Sequence, residues 1–198
     1  METYTSPTLS LGFRTPGSLP GAIHYAIGDC DLGAILVARS PQGICAIFLD
    51  DDAQGLRAQL AQAFPAAALE EASQSLQTDL EQIIRLIHQQ TVDAPIMLDI
   101  GGTAFQRQVW AALCDIPAGQ TRTYTQLAES IGAPKAVRAV ASACAANMLA
   151  MLIPCHRIVR SDGSLSGYRW GVQRKRAQLL RERSGHRHTL GLIFHDAR

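Results

Sequence analysis

Three short apolar runs begin the part of the sequence that has a clear pattern. They are IHYAIGDC (23–30), GAILVARS (33–40) and GICAIFLD (43–50), and the turn signals DLG and SPQG separate them. Short runs rich in Ile, Val and Phe with turns between them are typical of an antiparallel meander. The sequence therefore predicts a small three-stranded antiparallel sheet near its amino terminus.

Two amphipathic helical patterns, at residues 51–64 and 73–90, follow these runs. The segment APIMLDI (94–100) is typical of one more extended stretch, and we expect it to link two halves of the chain. These elements predict an amino-terminal α/β domain over residues 21–100. The Pro-, Ser- and Thr-containing residues 1–20 are expected to form a flexible leader.

The second half of the sequence is predominantly helical in pattern. Apolar residues recur at helical spacing after Thr103, which is a plausible amino-terminal cap. Two short helices are then predicted on either side of Gly132, and a tight turn containing glycine between two helices is typical of a helix-turn-helix. An extended apolar segment and a basic helix complete a predicted domain over residues 101–184, with residues 185–198 as a tail. The predicted fold class is α+β.

Composition favours a cytoplasmic globular protein. Hydrophobic residues make up 47% of the chain and charged residues 18%, which is ordinary for such proteins. No apolar run approaches the length of a membrane span, and residues 1–20 lack the pattern of a secretory signal. The five cysteines are odd in number and include no CxxC pair, which argues against a disulfide framework and a zinc finger.

The net charge of +1 conceals two halves of opposite sign. Residues 1–99 contain 4 Lys or Arg against 12 Asp or Glu, whereas residues 100–198 contain 14 against 5. This segregation has two interpretations, which the charges alone leave open. The basic half presents a nucleic-acid-binding face, or the two halves are solvated surfaces whose fields attract each other.

The second predicted helix of the helix-turn-helix is rich in alanine, and Arg138 is its only long polar side chain after the first turn. A helix that reads base edges in the major groove usually carries several long polar side chains. This helix is therefore suited to a close approach to a groove with one inserted arginine. Taken alone, the pattern favours the alternative, which is tight packing of an alanine-rich helix inside the domain.

The segment LIPCHRIV (152–159) places Cys155, His156 and Arg157 among apolar residues. The thiol is compatible with core packing, with metal ligation or with nucleophilic chemistry, for which it needs a base or a positive neighbour. Adjacent side chains on a strand point to opposite faces, so a contact between this cysteine and histidine requires a water or a bend. Of the few acids in the second half, Glu182 is the best placed to hold the imidazole.

The segment PCHR, with PKAVRAVASACAAN upstream and SGYRWGVQRKRAQLL downstream, resembles the O6-alkylguanine-DNA alkyltransferases. Within that family the resemblance is to the alkyltransferase part of the bacterial Ada type, and it covers the chain from about Tyr25 to Glu182. It implies single-turnover transfer of an alkyl group to the protein's own cysteine. The donor is O6 of guanine, or more weakly O4 of thymine, in duplex DNA.

The resemblance also implies roles for individual residues. Cys155 is the acceptor of the alkyl group, and His156 acts on it as a base through a water molecule. Glu182 holds the imidazole of His156, and Asn147 forms the hinge of the active-site turn. The remaining implied roles concern the damaged base. Tyr124 donates a hydrogen bond to the base and helps to rotate it out of the duplex, and Arg138 takes its place in the stack. Tyr168 forms a wall of the pocket, and backbone carbonyls near Cys155 and Ile158 accept hydrogen bonds from the exocyclic amine of guanine. Arg169 and Trp170 agree with the Ada type and are expected to narrow the pocket for bulky alkyl groups.

No cofactor and no metal are predicted, since the spacing of His24, Cys30 and His88 supports no zinc site. The predicted partner is duplex DNA with alkylated guanine or thymine, and the protein is expected to be a monomer without a membrane or an obligate protein partner. The alternatives are a non-catalytic sensor of alkylated bases, a DNA-binding regulator and a thiol protease. The presence of Cys155 argues against the sensor, and the sparse second helix argues against the regulator.

Overall fold

The computed structural model describes residues 8–13, 21–88, 96–165, 167–184 and 191–195. It confirms the predicted mixed α+β class. The chain forms two compact units, one from residues 1–101 together with 190–198 and the other from residues 102–189. No helix in the described part of the chain is long and apolar enough to cross a membrane.

The predicted meander forms the middle of a sheet in the first unit. Strands β2 (Ile23–Cys30), β3 (Gly33–Ser40) and β4 (Gly43–Asp50) are antiparallel neighbours, with bounds that match the three apolar runs. Most residues of β3 and β4 are buried, on both faces of each strand. Near-continuous apolar runs therefore identify these strands as interior members of the sheet.

The prediction of a three-stranded sheet is wrong in number, because the described residues contribute seven strands to this sheet. The extended stretch predicted within residues 94–100 forms strand β6 (Ile96–Ile100), which pairs in parallel with β4. The predicted leader contains strand β1 (Thr8–Phe13), and the predicted tail contains strand β9 (Gly191–His195). Strand β1 pairs in parallel with β9 on one side and with β6 on the other. Parallel pairing joins segments that are distant in sequence, so no local turn signal announces it. With β5 (Leu69–Glu71), the spatial order is β5-β2-β3-β4-β6-β1-β9.

Two helices pack on this sheet. Helix α1 (Ala53–Ala63) begins after Asp52, whose carboxylate accepts from the Gly55 amide, and it buries Leu56 and Leu60. Helix α2 (Gln77–Ile87) buries an apolar face and begins without a side-chain cap. Both helices were expected from their periodicity.

Within residues 102–165 and 167–184, the second unit contains four α-helices and one two-stranded sheet. Thr103 and Thr123 each form a reciprocal capping box with the glutamine three residues later, which fixes where two of the helices begin. The two-residue strands β7 (Arg122–Thr123) and β8 (Ile158–Val159) pair in parallel. The helices are α3 (Ala104–Cys114), α4 (Tyr124–Ser130), α5 (Val137–Ala145) and α6 (Val172–Arg183).

Candidate active site

Cys155 begins a single 3-10 turn, Cys155–Arg157, that leads directly into β8. The amide of Cys155 donates to the Ile153 carbonyl at 2.8 Å, and that of Arg157 donates to the Pro154 carbonyl at 3.0 Å. The expectation of an extended segment is therefore wrong here, because Pro154 introduces a turn. Successive side chains in a 3-10 turn diverge by about 120°, so Cys155 and His156 still point in different directions.

Asn147, two residues after α5 ends, fixes the loop that carries the cysteine. Its Nδ2 donates to the Ile153 carbonyl at 2.9 Å and to Cys155 Sγ at 3.3 Å, and its Oδ1 accepts from the Leu149 amide at 2.8 Å. The side chain is buried, so these bonds satisfy a carboxamide that water does not reach. Asn147 thus connects the end of α5, the loop and the thiol.

His156 lies against Glu182 of α6. The distance from Nε2 to Oε1 is 2.8 Å, and the two side chains are 1% and 6% exposed. Burial raises the pKa of Glu182, but the hydrogen bonds and positive charge from His156 and Arg157 outweigh it and lower that pKa to about 2. The carboxylate is therefore ionised and can only accept, so Nε2 of the imidazole carries the proton.

The other ring nitrogen of His156 is the position that can accept a proton. Nδ1 is buried and has no hydrogen-bond partner among the described residues. Burial is the largest influence on the imidazole and lowers its pKa, assisted by the charges of Arg157 and Lys175 and opposed by Glu182. In the neutral ring Nδ1 carries a lone pair, which is what a general base needs.

Arg157 is part of this network, although its sequence pattern did not single it out as a site residue. Its Nη2 donates to Glu182 Oε1 at 2.8 Å, and its Nε lies 3.1 and 3.2 Å from the two carboxylate oxygens. Its Nη1 donates to the Ile116 carbonyl at 2.6 Å. The only available signal was its position directly after Cys155 and His156.

The loop after α3 closes the network from the other side. The Gly119 amide donates to Glu182 Oε2 at 3.0 Å. Gly119 has φ of +79°, and a β-carbon there would lie 3.0 Å from the Glu182 carbonyl oxygen. Both the left-handed backbone and the close approach to α6 favour glycine at this position.

The thiol is strongly desolvated in this structure. Cys155 is 6% exposed, and burial raises its pKa to about 11, opposed by the Asn147 hydrogen bond and by the charges of Lys175 and Arg169. The buried Lys175 is a second residue that sequence reasoning missed, because it sits in a basic helix that reads as solvent-exposed. Burial lowers its pKa. A nucleophilic role for the sulfur therefore requires help from these positive and polar neighbours.

An aromatic pair lies between Cys155 and α6 in the sequence. The rings of Tyr168 and Trp170 meet edge to face, with centroids 5.2 Å apart and planes at 75°. Lys175 Nζ lies 6.0 Å from the centre of the Tyr168 ring, and Trp170 is buried. Arg169 between them is exposed. Tyr168 therefore lies beside both an aromatic ring and a cation.

The structure positions the other predicted residues as follows. Tyr124 is the first residue of α4 and follows β7, which pairs with the strand that continues from the cysteine turn. Ile158 is buried in that strand. Arg138 is exposed on the first turn of α5. All of the predicted site residues therefore belong to the second unit.

Metal ligation has no support in the described part of the chain, which contains no group of three or more His, Cys, Asp or Glu side chains placed to hold an ion. The two histidines considered from the sequence lie beside acids. His24 Nδ1 is 3.6 Å from Glu70, and His88 Nε2 is 2.7 Å from Asp31. Cys30 Sγ lies 3.3 Å from the Gly33 carbonyl oxygen.

Comparison with known proteins identifies the family. Residues 104–184 match the model of the 6-O-methylguanine DNA methyltransferase DNA-binding domain. A crystal structure of Mycobacterium tuberculosis OGT in complex with DNA is 31% identical to this chain, with a TM-score of 0.66. The match covers 81% of this chain and 93% of that one. The chain belongs to the O6-methylguanine-DNA methyltransferase family. The resemblance to this family seen in the sequence is thereby confirmed.

Curated members of the methyltransferase family extend the comparison. The bifunctional transcriptional activator/DNA repair enzyme Ada of Escherichia coli is 58% identical over 160 residues, which are 81% of this chain and 45% of Ada. A methylated-DNA–protein-cysteine methyltransferase of Mycobacterium bovis is 49% identical over 89 residues, 45% of this chain and 54% of that protein. The chain thus spans about half the length of these curated relatives.

Proposed function

We propose that this chain repairs DNA by direct, single-turnover transfer of an alkyl group from O6 of guanine to Sγ of Cys155. The observation that carries the proposal is the buried constellation of Asn147, Cys155, His156 and Glu182 within one unit. A hydrogen-bonded thiol whose neighbour in the sequence is a carboxylate-held imidazole is what an activated nucleophile with a water-mediated base requires. The names of the relatives support the same activity.

The transfer is a displacement at the alkyl carbon. The thiol proton passes to Nδ1 of His156 through a water molecule, because the two side chains diverge and do not meet directly. The sulfur then donates an electron pair to the alkyl carbon, an S–C bond forms, and the C–O6 bond breaks. The electron pair of that bond remains on the guanine. A donor such as the Tyr124 hydroxyl offsets the charge that develops on the base.

Single turnover follows from the product. The thioether on Cys155 is chemically stable, and the proposed site supplies no nucleophile that removes the alkyl group. Each protein molecule therefore acts once. O4 of thymine is expected to be a second, weaker donor, because it presents the same alkyl–oxygen linkage on a smaller base.

The base must leave the duplex to reach a buried sulfur, at a cost of a few kcal/mol. We propose that α4 and α5 act as a helix-turn-helix on the minor groove and that Arg138 occupies the gap in the stack. Along α5 the exposed face consists of Arg138 followed by small residues, namely Ala139, Ser142 and Ala145. A thin face suits a groove only about 6 Å wide. Such a face makes few sequence-specific contacts with the bases, which suits a protein that must find damaged bases in any sequence.

The extruded base needs a pocket beside the thiol. We assign its walls to Tyr168 and Trp170, with Arg169 at the rim. Backbone carbonyls near Cys155 and Ile158 are the expected acceptors for the exocyclic amine of guanine. In this assignment the pocket recognises the extruded base by its shape and by these hydrogen bonds. The sequence that flanks the base plays no part in that recognition.

The test is to incubate the protein with a duplex that contains one O6-methylguanine and to determine the mass of each cysteine-containing peptide. We expect one added CH₂ on the Cys155 peptide, with no more than one per protein molecule. The matched controls are Cys144→Ala and Cys114→Ala, which we expect to retain transfer, and Cys155→Ala, which we expect to lose it. Methylation at another cysteine, or repeated turnover, would refute the proposal.

A further inference from the structure

The Glu182 carboxylate is shared between two side chains of the cysteine turn. His156 Nε2 and Arg157 Nη2 each lie 2.8 Å from the same oxygen, Oε1. Arg157 Nε adds contacts of 3.1 and 3.2 Å to both oxygens. The arginine therefore makes the larger number of contacts with an anion that the imidazole also needs.

The charges around His156 have an excess of positive sign. From α6 it faces Glu182 and Lys175, and from its own turn it has Arg157 and Cys155 as neighbours. Among the described residues of the second unit, Glu182 is the one buried acid, whereas Arg157 and Lys175 are both buried cations. An extra proton on the cysteine–histidine pair would add a further positive charge to this buried cluster.

The pair is treated as one titrating unit, because its two groups are adjacent in the turn and the proposed mechanism passes a proton from one to the other through a water molecule. The fully protonated unit has a thiol and an imidazolium. Loss of one proton leaves either a thiol with a neutral imidazole or a thiolate with an imidazolium. Both products have the same net charge, so a neighbouring cation favours this first loss whichever atom holds the remaining proton.

We propose that Arg157 is a positioning residue that neutralises Glu182 and thereby holds the Cys155–His156 pair one proton short of full protonation at neutral pH. Glu182 alone would favour the fully protonated pair, since an unshared carboxylate stabilises the imidazolium. Arg157 offsets that effect while its bond to the Ile116 carbonyl fixes the guanidinium in place. The inference rests on the proposed function, because it assigns a purpose to the reactive state of the same sulfur.

The experiment measures the pH dependence of Cys155 alkylation by iodoacetamide, a small neutral reagent, in the absence of DNA. The Cys155 peptide is quantified by mass spectrometry so that the other cysteines do not contribute. The variants are Arg157→Gln, which keeps a donor but removes the charge, Arg157→Lys, which keeps the charge, and Glu182→Gln, which removes the opposing charge. Near-ultraviolet circular dichroism and thermal unfolding establish that each variant is folded.

We expect the acid limb of the profile to move to higher pH by about one to two units in Arg157→Gln. It should stay near the parent position in Arg157→Lys and move to lower pH in Glu182→Gln. A merely structural role would lower stability in these variants without shifting the limb in opposite directions. Equal profiles for Arg157→Gln and the parent, or shifts of the same sign in Arg157→Gln and Glu182→Gln, would overturn the inference.

The parent protein supplies a test that needs no variant. Its acid limb should have a midpoint below 6.5, the ordinary pKa of histidine. A midpoint at or above that value overturns the inference even if Arg157→Gln does not fold. Because the assay uses no DNA, its failure is distinguishable from failure of methyl transfer, which is measured on the parent protein with an alkylated duplex.

Discussion

Asn147 Nδ2 lies 3.3 Å from Cys155 Sγ and 2.9 Å from the Ile153 carbonyl oxygen, so one carboxamide holds both the sulfur and the loop before it. The side chain is buried, and its oxygen is bonded to the Leu149 amide. Asn147 is therefore the side chain that joins this loop to the sulfur, in addition to the backbone bond from the Ile153 amide to the Leu149 carbonyl.

Asn147→Ala is expected to lower the free energy of unfolding by about 3 kcal/mol, because several buried groups lose their partners. Urea unfolding followed by circular dichroism measures this change. The control is Gln108→Ala, which removes one exposed hydrogen bond to the Ile131 carbonyl and should cost less than about 1 kcal/mol. Similar losses in the two variants would contradict the role of Asn147.

The Glu182 network should make stability depend on pH. The carboxyl has a pKa of about 2 in the folded protein, against an ordinary value near 4.3, so it contributes stability that is complete above the ordinary value and is lost as pH falls towards 2. The contribution is about 3 kcal/mol.

Urea unfolding gives the free energy of unfolding of the parent protein and of Glu182→Gln. The parent value should exceed the variant value by a large amount at pH 7 and by a smaller amount at pH 3. Glu129→Gln, at an exposed acid of α4, serves as the control and should change neither value appreciably. A Glu182→Gln deficit that is the same at both pH values would show that the carboxyl contributes through packing alone.

Arg138→Ala is expected to reduce methyl transfer from duplex DNA by at least tenfold while the reaction with free O6-methylguanine changes less than twofold. The reason is that an exposed arginine on α5 can fill the space of an extruded base but has no part in the chemistry of a base that is already free. Single-turnover rates with the two substrates measure the ratio. Arg176→Ala removes an exposed arginine of α6 and provides the matched control; equal losses with both substrates would exclude a role in extrusion.

Trp170→Ala is expected to raise the rate for O6-benzylguanine relative to O6-methylguanine by about tenfold or more, because it removes a buried ring that packs edge to face on Tyr168. Competition between the two bases, read by mass spectrometry, gives the ratio directly. Trp110→Phe is the control for loss of a buried indole elsewhere in the unit, where the ring nitrogen donates to the Ala143 carbonyl. An unchanged ratio in Trp170→Ala would show that this ring does not limit the pocket.

Local sequence patterns predicted the elements that local forces determine. The apolar runs between Ile23 and Asp50 became β2, β3 and β4 because short turns pair neighbouring strands. Thr103 caps α3 because a threonine hydroxyl and a glutamine three residues later satisfy each other's backbone donors. The segment PCHR, with the residues around it, was enough to indicate the family, and it predicts Cys155 as the acceptor.

Other features depended on contacts between distant segments. Strands β1 and β9 join the sheet through parallel pairing across most of the chain, for which no turn residue gives a signal. Helix α6 looks like a basic surface helix in sequence, yet it turns Lys175, Gln178 and Glu182 inwards together with Leu179. A buried polar face cannot be recognised from periodicity when the charges that it meets are unknown.

The central meander and most of the helices follow from residues that lie close together along the chain, and local patterns were therefore enough to predict them. The sharing of one carboxylate by Arg157 and His156, its contact with the Gly119 amide and the burial of Lys175 could be seen only in the folded protein. Glu182, Arg157 and Lys175 set the charge around His156. These relationships arise where the cysteine turn, α6 and the loop after α3 meet, and the distances between such segments are fixed by packing rather than by any local preference.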